Sequence, residues 1–228
     1  MEILDLNDNI PEFEADFYNI SIVENLPTGF SVLQVNAIDR DQGENAEFLY
    51  NLKEEPDASG AFRIDSRSGW ITVRDDRLLD REKRKAVHLE VEALERTPSY
   101  MEDINLKRPG PSSVKVEITL LDQNDNTPKF EHGNLYEFKV PLTAPVGYVI
   151  GQVVALDPDE GPNGMLLYEL QRPKKSGYIP FRLDNKNGTI YVAGPLRRGR
   201  IAVFVEASDQ VNKHTLDIFF LLKKITIL

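Results

Sequence analysis

The sequence has 228 residues, 41% of them hydrophobic, and a formal net charge of −10. That is enough apolar material for one large domain or two ordinary ones, and too much for a disordered chain. The acidic balance argues against a nucleic-acid partner and suits a chain that collects cations, and the absence of cysteine excludes disulfide and thiolate–metal frameworks.

The chain opens on Asp5-Leu6-Asn7-Asp8-Asn9-Ile10-Pro11, an acidic, amide-rich stretch closed by a proline. Tyr18, Ile20 and Ile22 then alternate with polar neighbours, as do Val87, Leu89 and Val91 with His88, Glu90 and Glu92. Period-two runs between Gly, Pro, Asn and Asp clusters predict short, half-buried strands. The proline- and serine-rich stretch from Arg96 to Ser113 predicts a loop. A loop this long is functional or mobile; its lack of apolar periodicity favours mobility. Val114, Val116, Ile118 and Leu120 predict another strand. A second acidic stretch follows, Asp122-Gln123-Asn124-Asp125-Asn126-Thr127-Pro128, and Leu216, Ile218, Phe220 and Leu222 supply the last alternating row. The best apolar run, Ile218 to Leu222, is far short of a membrane span, and no signal peptide follows Met1. A secreted or membrane-anchored parent would make the sequence a piece of a longer chain, with Met1 an artificial start.

The second half repeats the first. Asp5 to Phe13 recurs as Asp122 to Phe130, Asp39-Arg40-Asp41 as Asp157-Pro158-Asp159, and Asn45 as Asn163. Leu49-Tyr50 recurs as Leu167-Tyr168, Phe62-Arg63-Ile64-Asp65 as Phe181-Arg182-Leu183-Asp184, and Val91-Glu92-Ala93 as Val205-Glu206-Ala207. The expected architecture is all-β: two tandem seven-stranded, Greek-key, immunoglobulin-like sandwiches in an elongated rod. Its parts are an incoming linker stub at 1–11, a repeat at 12–121, a linker at 122–128 and a second repeat at 129–228. Trp70 and the strand aromatics are expected to serve core and face packing.

Asp122, Asn124, Asp125 and Asn126 crowd oxygen donors that repel one another in water by about 1 kcal/mol per charged pair at ~4 Å. Calcium reverses that sign, because it takes six to eight oxygen ligands, backbone carbonyls included, in flexible geometry. A single turn of this kind reads as a solvated acidic turn. Two copies, each followed downstream by Asp-x-Asp, favour calcium.

These motifs carry a resemblance over essentially the whole chain. Asp-x-Asn-Asp-Asn-x-Pro-x-Phe at 5–13 and 122–130 resembles the linker motif between extracellular cadherin repeats. Val23 to Gly29 resembles the first-strand glutamate motif, Leu79-Asp80-Arg81-Glu82 the Leu-Asp-Arg-Glu motif, and Ala207-Ser208-Asp209 the last ligand motif. The resemblance implies three calcium ions at the central linker. The first would use Glu24, Asp80, Glu82 and Asp125. The second would use Glu24, Glu82, Asp122, the Gln123 carbonyl, Asp125 and Asp159. The third would use Asn124, the Asn126 carbonyl, Asp157, Asp159, the Asn163 carbonyl and Asp209. It also implies a partial incoming site from Asn7, Asn9, Asp39, Asp41, Asn45 and Glu95, where glutamate replaces the usual aspartate.

The outgoing end departs from the pattern. Leu142 stands where the first repeat has Glu24, Leu196-Arg197-Arg198-Gly199 stands in place of Leu-Asp-Arg-Glu, and the chain runs on into Lys223-Lys224-Ile225-Thr226-Ile227-Leu228. The resemblance implies a calcium-stiffened, extracellular, adhesive segment of a plasma-membrane protein. Its partners would be neighbouring repeats and another cadherin in cis or trans, with no small-molecule substrate. No catalytic triad or nucleotide loop is present, so no enzymatic role is expected. The N-terminal tryptophan of strand-swapping cadherins is missing, so that mechanism is not carried over, and the calcium-poor outgoing end is similar to that of long non-swapping cadherins, such as tip-link cadherins. Asn19-Ile20-Ser21 and Asn187-Gly188-Thr189 are N-glycosylation sequons.

Overall fold

The computed structural model describes residues 5–54, 60–96, 111–133, 135–171 and 178–223. The chain divides into two compact units, Met1–Gln123 and Asn124–Leu228. The first contains β1 (Glu12–Phe13), β2 (Phe17–Val23), β3 (Ser31–Gln34), β4 (Ala37–Ile38), β5 (Phe48–Glu54), β6 (Phe62–Ile64), β7 (Trp70–Val73), β8 (Ala86–Glu95) and β9 (Ser112–Leu121). One sheet has the order β2-β9-β8-β5 and the facing one β3-β7-β6, with β1 and β4 paired separately. Strand β2 runs parallel to β9, and the other pairings are antiparallel.

The second unit repeats this plan with β10 (Lys129–Phe130), β11 (Leu135–Pro141), β12 (Val149–Gln152), β13 (Ala155–Leu156), β14 (Leu167–Gln171), β15 (Phe181–Leu183), β16 (Thr189–Val192), β17 (Gly199–Ser208) and β18 (Lys213–Lys223). Its sheets are β11-β18-β17-β14 and β12-β16-β15, with β10 and β13 paired separately. When β1–β2, β3–β4 and their counterparts are counted as single split strands, each unit is a seven-stranded Greek-key sandwich.

The alternating residues bury one face of each sheet. Ile71, Val73, Val91, Ile118 and Leu120 have no exposed surface in the first core, nor do Ile190, Val192, Val205, Ile218 and Phe220 in the second. Phe181 stacks on Phe220 with ring centroids 4.0 Å apart. The split strand crosses between sheets at Val35, whose N–H donates to Gly69 O; Val153 and Gly188 repeat the contact. Both glycines have positive φ, +73° and +70°, and a Cβ on either would lie 2.2 or 2.1 Å from that valine's carbonyl oxygen. Only glycine fits both the conformation and the space. The Tyr50 hydroxyl accepts from Ala37 N–H beside this crossing, and the Tyr168 hydroxyl from Ala155 N–H.

Two expectations need correction. Trp70 is 41% exposed, not core, because it alternates with the buried Ile71 and so faces outward. Strand β9 begins at Ser112, within the stretch expected as loop; residues 97–110 of that stretch, and Lys224 to Leu228, lie outside the described residues.

Candidate metal centres

In the second unit, one end gathers oxygen donors from three segments. A carboxylate oxygen from each of Asp157, Asp159 and Asp209 lies within 4.8 Å of the others. Ligands about 2.4 Å from a common calcium ion can be at most about 4.8 Å apart, so this spacing suits a shared ion. Asp159 and Asp209 are 7% and 3% exposed. Oδ2 of Asp209 is buried and accepts no hydrogen bond, while Oδ1 accepts from the N–H groups of Val211 and Asn212. Burial pushes the Asp209 carboxyl up, but those N–H donors outweigh it and hold it below the usual carboxylate range.

The linker residues close around this group. Asn126 donates to Asp159 from its amide, at 2.7 Å, and from its backbone N–H, and Asp159 N–H donates to Asp157 Oδ1. Asn124 donates to the Asn163 carbonyl at 3.4 Å. Asp125 is exposed, and its Oδ1 accepts from the Asn126 amide. Asn212, which sequence reasoning missed, donates from its amide to Asn124 Oδ1 and to the Asn126 carbonyl, each at 2.7 Å. It ties together two groups that the resemblance names as ligands. No local motif marks it; only the turn after β17 brings it there.

The other half-set lies in the first unit. Glu24 follows β2 and is only 1% exposed. Its Oε2 accepts from Arg81 N–H at 2.6 Å and its Oε1 from Gln123 N–H at 2.8 Å. Glu82 is exposed, with a carboxylate oxygen within 4.8 Å of one on Glu24 and of one on the half-buried Asp122. Asp80 accepts from the Lys83 ammonium and from Lys83 N–H. Burial raises its pKa, and these Lys83 contacts outweigh that to leave it lowered.

The incoming end of the first unit copies the second. Asn9 donates to Asp41 from its backbone and its amide, and Asp41 N–H donates to Asp39 Oδ1. Oδ2 of Asp39 is buried without a hydrogen bond, and Asn7 is buried. Asp5, absent from the expected set, accepts from Gln42 N–H and the Asn45 amide, which hold its pKa low. Tyr50 pairs with Ala93 and Tyr168 with Ala207, which makes Glu95 the counterpart of Asp209. Among the described residues, Glu95 does not join Asp39 and Asp41 in a three-carboxylate group. Both sequon asparagines are exposed: Asn19 on the edge strand β2, and Asn187 in the β15–β16 turn, where it accepts from Thr189 N–H.

Residues 18–121 and 136–217 match the family described as Cadherin domain. Among curated relatives, Cadherin-89D of Drosophila melanogaster is 84% identical over 210 residues, 92% of this chain and 9% of that protein. Cadherin EGF LAG seven-pass G-type receptor 1 of Homo sapiens is 40% identical over 82% of this chain and 6% of the relative. The chain thus spans less than a tenth of the length of either. Among solved structures, mouse Cadherin-23 EC22-24 has a TM-score of 0.82 at 29% identity, covering 98% of this chain and 68% of that one. Protocadherin Gamma B2 extracellular cadherin domains 1-5 reach 0.78 at 27%, covering 98% and 41%. With one match on each sandwich and oxygen-rich clusters at the ends of both, the chain belongs to the cadherin family.

Proposed function

We propose that this chain is a calcium-dependent structural and adhesive segment of a cell-surface ectodomain, in which calcium held at the 122–128 linker stiffens the join between its two repeats. The observation that carries this reading is the Asp157–Asp159–Asp209 group, whose carboxylates lie within 4.8 Å of one another with Asp209 almost fully buried. Charges at that spacing repel by about 1 kcal/mol per pair in water and about 3 kcal/mol at an effective dielectric of ~20. A hard dication turns this repulsion into attraction, and the donors are all oxygens, as calcium requires.

The residues assigned to the ions are Glu24, Asp80, Glu82, Asp122, Gln123, Asn124, Asp125, Asn126, Asp157, Asp159, Asn163 and Asp209. They belong to both repeats and to the linker, so ions binding them all restrict the repeats' independent rotation. Asn7, Asn9, Asp39, Asp41, Asn45 and Glu95 are assigned to the incoming site. The proposed partners are neighbouring repeats and another cadherin in cis or trans.

The test is calorimetric unfolding in millimolar calcium and in chelator. Ions that bind only the folded state stabilise it by mass action, by about 2.7 kcal/mol at a hundred times Kd. Equal midpoints in the two conditions would overturn the reading. N-glycans are proposed at Asn19 and Asn187, both exposed; intact mass after secretory expression, with Asn19→Gln and Asn187→Gln as controls, tests them.

A further inference from the structure

The strand ladders fix which residues of the two repeats are equivalent. Val23 pairs with Leu121 at the end of the β2–β9 ladder, and Pro141 with Lys223 at the end of β11–β18. The next residues, Glu24 and Leu142, therefore occupy the same place. Glu24 is a buried acceptor for two backbone N–H groups. Leu142 is partly buried and packs on the second core. A hydrocarbon there neither accepts a hydrogen bond nor ligates an ion.

The neighbouring loop has also changed length. Phe62 pairs with Val73, and Phe181 with Val192, which makes the two valines equivalent. Ala93 and Ala207 are equivalent through their tyrosine partners, so Ala86 corresponds to Arg200. Between these equivalent positions the first repeat has residues 74–85 and the second only 193–199, the last of which already opens β17. In the shortened segment Leu196-Arg197-Arg198-Gly199 stands where the longer one has Leu79-Asp80-Arg81-Glu82, and residues 193–199 contain no carboxylate. What remains is Leu196, packed on the core, and Arg197 and Arg198, both exposed. In the sequence, Lys223 is followed by Lys224-Ile225-Thr226-Ile227-Leu228, without a carboxylate, whereas its counterpart Leu121 is followed by Asp122-Gln123-Asn124-Asp125-Asn126.

We propose that the junction following β18 is calcium-independent: the outgoing end of the second repeat holds no divalent cation, and calcium acts on the 122–128 join but not on this one. The inference rests on the reading that calcium holds 122–128. At this end the short loop offers the exposed Arg197 and Arg198 and no carboxylate, so the electrostatic term opposes dication binding. The carboxylate, the loop that oriented it and the acidic linker are all replaced, and no partial site remains to recruit an ion. Removing calcium therefore loosens one join of the ectodomain and leaves the next as it was.

Limited proteolysis of the parent ectodomain tests this, with cut sites mapped by mass spectrometry in millimolar calcium and in chelator. Cleavage follows the population of the open form when reclosing is fast. Calcium at about ten times Kd protects by about tenfold. Cleavage within 122–128 is expected to rise at least about tenfold in chelator. Cleavage in the segment directly after β18 is expected to stay the same in both conditions. A rise at both joins overturns the inference and leaves the calcium reading standing. A rise at neither overturns the calcium reading and, with it, the contrast asserted between the joins. In a second arm, Leu142→Glu restores the carboxylate without its loop, and no calcium protection is expected after β18. Protection in that variant would show that the remaining groups suffice for an ion and would also overturn the inference.

Discussion

Asp209→Asn separates the structural role of this side chain from its proposed ligand role. The amide keeps an oxygen to accept from Val211 and Asn212 N–H, so the turn after β17 is retained. It removes one charge from a group whose three carboxylate oxygens lie within 4.8 Å. Without calcium, two repulsive pairs disappear, each worth about 1 kcal/mol in water and about 3 kcal/mol at a dielectric of ~20. The lowered pKa of Asp209 nevertheless means that the folded repeat favours its charged form, because the charged hydrogen bonds outweigh those pairs, so the substitution should cost the second repeat about 1 kcal/mol in chelator. In calcium the cost should be larger. Each tenfold loss of affinity removes about 1.4 kcal/mol of ligand stabilisation. Hydrogen exchange of the β17–β18 ladder reads the second repeat directly. The single tryptophan, Trp70, lies in the first repeat and serves as an internal control. A variant destabilised equally in calcium and in chelator would falsify the ligand assignment and make Asp209 a turn residue only.

Asn212→Ala should weaken calcium binding by about tenfold, as loss of a group orienting ligands does, while stability in chelator falls by only about 1 kcal/mol; isothermal titration and unfolding read the two separately. Glu92→Gln addresses a buried carboxylate on the sheet face, where hydrogen bonding from Lys53 lowers the pKa against the opposing effect of burial, with help from Asn51. A depressed carboxylate pKa stabilises above the unfolded value near ~4.3, and that stabilisation is lost as pH falls through the folded value. The variant should thus cost about 1 kcal/mol at neutral pH, discounted for the half-exposed lysine. The cost should vanish once pH lies below both values, as urea midpoints across pH will show. Gly188→Ala forces a Cβ to 2.1 Å from the Val153 carbonyl at φ +70°, and a loss of about 2–3 kcal/mol in chemical denaturation is expected.

What the sequence discloses here is what repeats locally. Alternation marks the strands, and the same alternation puts Trp70 outward, because Ile71 and Val73 claim the core; a preference for burying tryptophan is the weaker signal. The aspartates and asparagines of the proposed sites stand in motifs because each segment contributes its donors in a short run. Groups that depend on pairing across the sheet are hidden. Glu92 is buried by Lys53 and Asn51 on the neighbouring strand, and Glu206 meets Gln171 and Lys213 in the same way. Asn212 and Asp5 belong to this class too, since a turn and a distant loop bring their partners.

The reshaped outgoing end has the character of one concerted change rather than three separate ones. In the first repeat, Glu24 joins three segments, the end of β2, the loop at Arg81 and the linker at Gln123, through the two N–H groups it accepts. Replacing it with leucine alone would strand both donors near a buried site, at about 1–3 kcal/mol each. Restoring the carboxylate alone in the second repeat would bury a charge with no donor from the shortened loop, which is also costly. Leu142 is therefore compatible with the short loop, and Glu24 with the long one, but the mixed pairings are not. This makes a specific demand on stability in chelator, where no ion contributes. Glu24→Leu in the first repeat should be destabilising by about 2–4 kcal/mol even there, because the stranded N–H groups belong to the fold and not to the ion. Thermal unfolding followed by Trp70 fluorescence reads that repeat. A Glu24→Leu variant as stable as the parent in chelator would show that Glu24 serves the ion alone, and the argument for a concerted change would lose its basis.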